Sequence, residues 1–233
     1  MMKIDVLTLF PGMFKAVLGE SILKRAIHSG KISVEIHNIR DYTKDKHKKA
    51  DNRPFGGGCG MVLGIQPVFD AVCDVKKNNK RARVILMSPQ GEVFTHDKAC
   101  GFSREKGLII ISGHYEGIDE RVKSLIDSEI SIGDYVLTGG EIPAMAVIDA
   151  VTRLIPGVLG HSESNKDESF SNPGGLLEYP QYTRPAVFEK MKVPQVLLSG
   201  NHAAIKAWRR KESVQKTMDK RPDIIRDIKQ IEI

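Results

Sequence analysis

The apolar positions change period several times along the first 155 residues, and each change marks an element. Lys3–Phe10 alternates and is rich in strand-forming residues, which predicts a strand stopped at Pro11-Gly12. Phe14, Val17, Leu18, Ile22 and Ile27 recur at helical spacing, predicting a helix over 14–28 that ends at Gly30. Ile32–Ile36 reads as a second strand, so the opening is a βαβ unit, which builds a parallel sheet with a right-handed crossover. A helix is predicted over Gln66–Val75, with Cys73 as a small apolar residue on it. Val84–Met87 and Leu108–Ile111 are unbroken apolar runs of the kind covered on both faces in parallel sheets. Helices over His96–Glu105 and Asp119–Ile126 and a short strand over Glu129–Ile132 complete an α/β pattern.

Three polar or glycine-bearing loops, 88–91, 112–117 and 132–140, follow the last three strands. In a parallel sheet they emerge at one edge, where open α/β sheets bind ligands. The stretch Ser131–Glu141 organises this edge. Its β-type run Tyr135-Val136-Leu137 is pinned between Gly133-Asp134 and Gly139-Gly140, and glycines let backbone approach a bound molecule closely. No lysine lies in the three loops, so they suit a flat neutral heterocycle held by peptide groups better than a triphosphate.

Ile142–Leu154 is apolar nearly all round, with Pro143 in its first turn, which predicts a buried helix or one at an oligomer interface. Asp149 and Arg153 stand at i,i+4 on it. They form a surface ion pair, or Arg153 has a function that justifies an arginine on so apolar a helix. Gly157–Gly175 turns polar and reads as a mobile linker, in which Asp167 and Glu168 are solvated acids unless chemistry claims them. Leu176–Ile233 reads as a small helical module with a long helix over Asn201–Met218, basic at Arg209, Arg210 and Lys211. The expected organisation is therefore a domain over 1–160, a flexible linker over 161–175 and an all-helical domain over 176–233.

Composition adds three constraints. A net charge of +6 with pI about 9.1 favours a polyanionic partner. Three cysteines without Cys-x-x-Cys spacing argue against a disulfide scaffold or zinc site and suit a reducing cytoplasm. No window approaches the roughly 18 apolar residues of a membrane helix, so a soluble protein without membrane contact is expected. The basic run Arg40–Arg53 and the glycine loop Phe55–Gly60 are solvated surface loops or a nucleic-acid contact; neither matches a Walker A or dinucleotide-binding pattern.

Read in order, Leu7-Thr8-Leu9-Phe10-Pro11, Arg53-Pro54-Phe55-Gly56-Gly57-Gly58-Cys59-Gly60-Met61, Ser88-Pro89-Gln90-Gly91, Gly113-His114-Tyr115-Glu116-Gly117-Ile118-Asp119, Ile132–Glu141, Tyr182-Thr183-Arg184-Pro185 and Leu198-Ser199-Gly200-Asn201-His202 resemble the bacterial tRNA (guanine-N1-)-methyltransferases. The resemblance runs from residue 3 to about residue 220. It implies a SPOUT-type parallel sheet with a C-terminal trefoil knot, a homodimer, and a C-terminal domain that grips tRNA. It implies S-adenosyl-L-methionine held by Leu86, Met87, Ser88 and Pro89, by Gly113, Tyr115, Glu116 and Gly117, and by Ile132, Gly133, Asp134, Tyr135, Val136, Leu137, Gly139, Gly140 and Pro143. Methylation is implied at N1 of the guanosine at tRNA position 37, with Arg153 steadying charge on O6 and a linker acid as base. The commoner pattern has Asp directly before Ser-Phe; here Glu168 stands there and Asp167 one step earlier, so both are candidates. Contacts to tRNA are expected from Lys48, Gly58, Gly60, Arg184, Arg209 and Arg210, with Cys59 permissive. The resemblance also carries a magnesium requirement, for which the sequence shows no ligand cluster.

Overall fold

A computed structural model describes residues 1–160, 167–172 and 174–225. The chain divides into a unit Met1–Gly160 and a unit His161–Ile233.

The first unit is built on five parallel strands. β1 (Met2–Thr8) is followed by α1 (Phe14–Leu18), α2 (Ser21–His28) and β2 (Ile32–Asn38). Two short strands, β3 (Asp51–Asn52) and β4 (Val62–Leu63), form a separate antiparallel pair ahead of α3 (Ile65–Asn78). Then come β5 (Arg83–Val93), α4 (His96–Ser103), β6 (Gly107–Ser112), β7 (Ser128–Ser131) and α5 (Glu141–Thr152). The sheet order is β2-β1-β6-β5-β7, every pair parallel.

The apolar runs divide between two faces by strand period. Leu108 and Ile110 pack with Phe14, Leu23, Phe102 and the α5 residues Ala144, Val147, Ile148 and Val151. Ile109 and Ile111 pack with the α3 residues Val68, Ala71, Val72 and Val75. Both faces are thus covered, which is why these strands carry no polar alternation. Lys3–Phe10 alternates between the same two layers, and this puts Asp5 under the second face, fully buried. His37 Nε2 (2.8 Å) and the Asn79 amide (2.8 Å) hydrogen-bond to its two carboxylate oxygens.

Several expectations change. The predicted helix over 14–28 is two helices, because the chain turns at Gly19, runs extended at Glu20 and takes φ +51° at Ser21. Residues 120–125 form a 3₁₀ helix. The loop 88–91 is a bulge inside a longer strand rather than a strand end. Met87 and Glu92 both pair with Ile130, and the four residues between them are extruded. A Cβ at Gly91 would lie 2.4 Å from the backbone of Glu129 and Ile130, so only glycine lets the bulge close against β7. Tyr135-Val136-Leu137 is not a strand. It pairs with no strand among the described residues and is an exposed loop. Cys73 is exposed, not packed in the core.

The second unit is not all-helical. A two-stranded hairpin, β8 (Val187–Phe188) with β9 (Met191–Lys192), precedes α6 (Gln195–Leu198) and α7 (His202–Lys220). Thr217 is fully buried on α7; its hydroxyl donates to the Ser213 carbonyl (2.6 Å) and accepts from the Leu177 N–H (2.9 Å). The described part of the expected flexible linker is a closed turn. The Phe170 N–H donates to the Leu176 carbonyl (3.1 Å), and the Asn172 side chain bonds the Glu168 carbonyl and both backbone groups of Leu176. Residues 161–166 and 173 of the expected linker, and 226–233 at the chain end, lie outside the described residues.

Candidate functional site

A cavity of about 250 Å³ lies where the bulge of β5 and the loops after β6 and β7 meet. The parallel register sets those loops side by side, because β6, β5 and β7 are neighbours in that order. Leu86, Met87, Ser88 and Pro89 line it from the bulge, and Gly113, Tyr115, Glu116 and Gly117 from the second loop. Ile132, Gly133, Tyr135, Val136, Leu137, Gly139 and Gly140 line it from the third, with Pro143 from α5. Of the residues expected at a donor site only Asp134 falls outside the lining; it is exposed.

The walls meet tightly behind the cavity. The Gly140 N–H donates to the Gly113 carbonyl at 2.7 Å, and His114 and Gly139 form an antiparallel bridge. A Cβ at Gly140 would come 2.8 Å from both the Gly113 nitrogen and the Ser112 Cα. Tyr115 sits in left-handed backbone, φ +65°, which turns the loop back toward the glycine segment. There Glu116 N–H donates to the Met61 carbonyl (3.0 Å), and Val62 bridges Tyr115. A side chain at Gly60 would collide with Glu116. The glycine loop therefore leads directly into the cavity wall, with Gly58 exposed in left-handed backbone and Phe55 wholly exposed.

Charged side chains absent from the three loops arrive from elsewhere. Glu120 and Lys123 come from the 3₁₀ helix and Glu129 from β7. Lys123 pairs with Glu120 at 2.8 Å and Glu129 at 3.6 Å, and the bond to Glu120 holds its ammonium pKa above the usual value. With Glu116, the lining presents three carboxylates against one already paired ammonium. This balance favours a cationic or neutral ligand over a phosphate-rich one. His114 was also absent from the predicted lining. His114 stands inside the loop 112–117 and is signalled by it, whereas nothing local in the sequence signals Glu120, Lys123 and Glu129, which reach the cavity from the 3₁₀ helix and β7.

The other expected site residues are dispersed. Arg153 closes α5, half-buried, with its N–H on the Asp149 carbonyl (3.1 Å). Asp167 is exposed and Glu168 half-buried, both in the second unit. Lys48 lies on a folded loop rather than a loose one. Asp45 accepts from the His47 and Lys49 N–H groups, which hold its carboxyl below the usual range, and Lys48 Nζ pairs with Asp41 at 3.0 Å. Arg184 is exposed. The Arg209 guanidinium lies over the Tyr179 ring at 4.6 Å, and Arg210 is half-buried, so neither is a simple solvent-facing cation.

One three-ligand cluster does exist among the described residues: Asp5, Glu35 and His37 approach within 4.8 Å of one another. The Lys3 ammonium sits 3.1 Å from Glu35 and 3.7 Å from Asp5, so a cation of the chain already balances these acids.

A parallel sheet covered on both faces, with a peptide-walled cavity where the β5 bulge meets the loops after β6 and β7, defines an α/β domain with a pocket at its sheet edge. Comparison with known proteins narrows this class. The family model for tRNA (Guanine-1)-methyltransferase TrmD matches residues 2–227, and the chain belongs to that family. A tRNA (guanine-N(1)-)-methyltransferase of Ruminiclostridium cellulolyticum is 58% identical over 225 residues, 96% of each chain. Those of Citrifermentans bemidjiense and Geobacillus kaustophilus are 56% and 55% identical over 96% of this chain and 90% and 91% of the relative.

Proposed function

We propose that this chain methylates N1 of the guanosine at tRNA position 37, using S-adenosyl-L-methionine bound in the cavity of the first unit. The observation that carries the reading is the cavity itself, walled by peptide groups and glycines and rimmed by Glu116, Glu120 and Glu129. That lining fits a neutral heterocycle joined to a sulfonium, and family membership supplies the reaction class.

When bound, the donor brings a methyl group already activated by positive sulfur, so the protein's task is alignment. Gly113, Gly139 and Gly140 offer backbone close to any ligand, and Leu86, Val136 and Leu137 offer apolar contact. The acceptor is the harder half, because guanine N1 carries a proton and its lone pair is delocalised toward O6. Glu168 takes that proton as the new N–C bond forms and the sulfur–methyl bond breaks, its electron pair leaving with a neutral thioether, and Arg153 steadies the charge on O6. The Glu168 backbone is fixed by hydrogen bonds to its carbonyl from Ser171 and Asn172. Asp167, exposed one residue earlier, is the alternative base.

The remaining parts of the reading have lesser supports. A trefoil knot is favoured by the way the chain, after edge strand β7, returns past β5 to close on the end of β6 through Gly140. A homodimer is favoured by apolar Phe10, Met13 and Ile142, exposed near the ends of β1 and α5 that the Thr8–Glu141 bond joins. Three unpaired cysteines suit the cytoplasm, and no described helix is long and apolar enough to cross a membrane.

Incubation with labelled S-adenosyl-L-methionine and an unmodified tRNA transcript, followed by nucleoside analysis, tests the reading. N1-methylguanosine that disappears when guanosine 37 is replaced is the expected product. Label on another nucleoside would move the target, and no label in any nucleoside would end the reading. Charge reversal at Arg209 and Arg210 is expected to raise the tRNA KM and lower its log–log salt slope by roughly one per lost contact. Since both are half-buried, Lys206→Glu and Lys211→Glu, at exposed positions on the same helix, should show the same trend if phosphate contact is the cause. Wild-type tRNA KM values in all four variants would retire the contact.

A further inference from the structure

We propose that Glu141, fixed by Thr8 and faced by His114, is a positioning residue that ties the two peptide walls of the cavity together and so sets donor affinity. This rests on the reading of the cavity as the donor site. A carboxylate in the first turn of a helix is ordinarily an exposed complement to the helix dipole. Glu141 differs, because its side chain is 2% exposed. Burying a carboxylate is unfavourable unless its oxygens find partners.

One oxygen has a full partner. The Thr8 hydroxyl donates to Oε1 at 2.7 Å and is itself oriented by accepting from the Phe10 N–H at 2.9 Å. The other, Oε2, faces His114 Nδ1 at 3.7 Å. That nitrogen is buried and has no hydrogen-bond partner among the described residues. Only a glycine between them permits the approach, since a Cβ at Gly139 would lie 2.3 Å from Oε2 and 2.5 Å from Nδ1. The imidazole is held in place by Phe10 and Tyr115, with ring centroids 4.7 and 5.1 Å away.

The three residues come from the end of β1, the loop after β6 and the start of α5. The last two elements supply opposite walls of the cavity, yet neither Thr8 nor Glu141 lines it. The carboxylate therefore acts from behind, alongside the Gly140–Gly113 hydrogen bond and the His114–Gly139 bridge. Loosening it lets the walls part without removing any group that touches donor or tRNA.

Three variants of the full chain test this: Thr8→Val, which removes the donating hydroxyl at constant shape; Thr8→Ser, which keeps it; and Glu141→Ala, which removes the carboxylate from behind the cavity. Binding of S-adenosyl-L-methionine by calorimetry, kcat, tRNA KM and amide exchange of residues 113–117 and 139–140 are measured. Expected are a roughly tenfold weaker donor Kd and faster exchange in Thr8→Val and Glu141→Ala, with tRNA KM and kcat at saturating donor within about twofold. Thr8→Ser should restore both. Wild-type donor affinity and exchange in Thr8→Val and Glu141→Ala would overturn the proposal, as would equal losses in donor affinity, kcat and tRNA KM. If one of these variants does not fold, the other decides. If wild-type protein binds no donor, the donor-site reading fails, and the exchange rates alone decide whether Glu141 couples the walls.

Discussion

Gly140→Ala is expected to lower donor binding and methyl transfer by more than about a hundredfold. The added Cβ would meet the Gly113 nitrogen and Ser112 Cα at 2.8 Å, and both are backbone atoms that no rotamer change can move. The substitution must either displace the end of β6 or break the 2.7 Å bond from the Gly140 N–H to the Gly113 carbonyl. Overpacking of this kind typically costs about 1–3 kcal/mol of stability, so a fall in Tm should accompany the lost function. Gly101→Ala is the control. It lies within α4, a Cβ there meets nothing within 4 Å, and alanine is the better helix former by about 1 kcal/mol. A Gly140→Ala protein that binds donor as tightly as wild type would show that the walls yield, and the cavity would lose its claim to a fixed shape.

Glu168→Gln is expected to slow single-turnover methyl transfer by 10²- to 10⁴-fold, the usual range for loss of a general base, with donor affinity and tRNA KM little changed. Asp167→Asn should cost less than about tenfold. The reason for ranking them is local structure. The Glu168 carbonyl accepts from the Ser171 N–H (3.2 Å), the Ser171 hydroxyl (2.9 Å) and the Asn172 amide (3.2 Å), so its backbone is held by the turn that follows. Asp167 precedes that turn and is exposed. A base must be positioned as well as present, and fixed backbone is what positions it. The reverse ranking would assign the proton to Asp167, and two fully active variants would remove both acids from the chemistry.

The arrangement has a division of labour consistent with these two effects. The first unit holds the cavity, Arg153 and the expected tRNA contacts Lys48, Gly58 and Gly60, and the second unit holds both candidate bases and the expected contacts Arg184, Arg209 and Arg210. Damage to the walls should therefore appear first in donor affinity, whereas damage at Glu168 should appear in the rate of the bound complex. Measuring donor Kd and single-turnover rate on every variant separates the two.

The sequence by itself determined the layered α/β core. Val84–Met87 and Leu108–Ile111 had to be strands covered on both faces, because unbroken apolar runs of that length satisfy neither a half-exposed strand nor a solvated loop. It also located the cavity lining, since Gly113, Gly133, Gly139 and Gly140 stand after consecutive core strands. Other features depended on partners distant in the chain. The bulge at 88–91 exists because Gly91 lies against Glu129 and Ile130, and the burial of Glu141 depends on Thr8, 133 positions earlier. Lys123 and Glu129 reach the cavity only through the path of the β6–β7 turn. The linker acids looked solvated because Ser, Asn and Gly are common to loose segments and tight turns alike; side-chain-to-backbone bonds from Asn172 made this one tight. Periodicity records only which face a residue presents, whereas steric closeness and charge pairing across the sheet arise when the strands are set side by side.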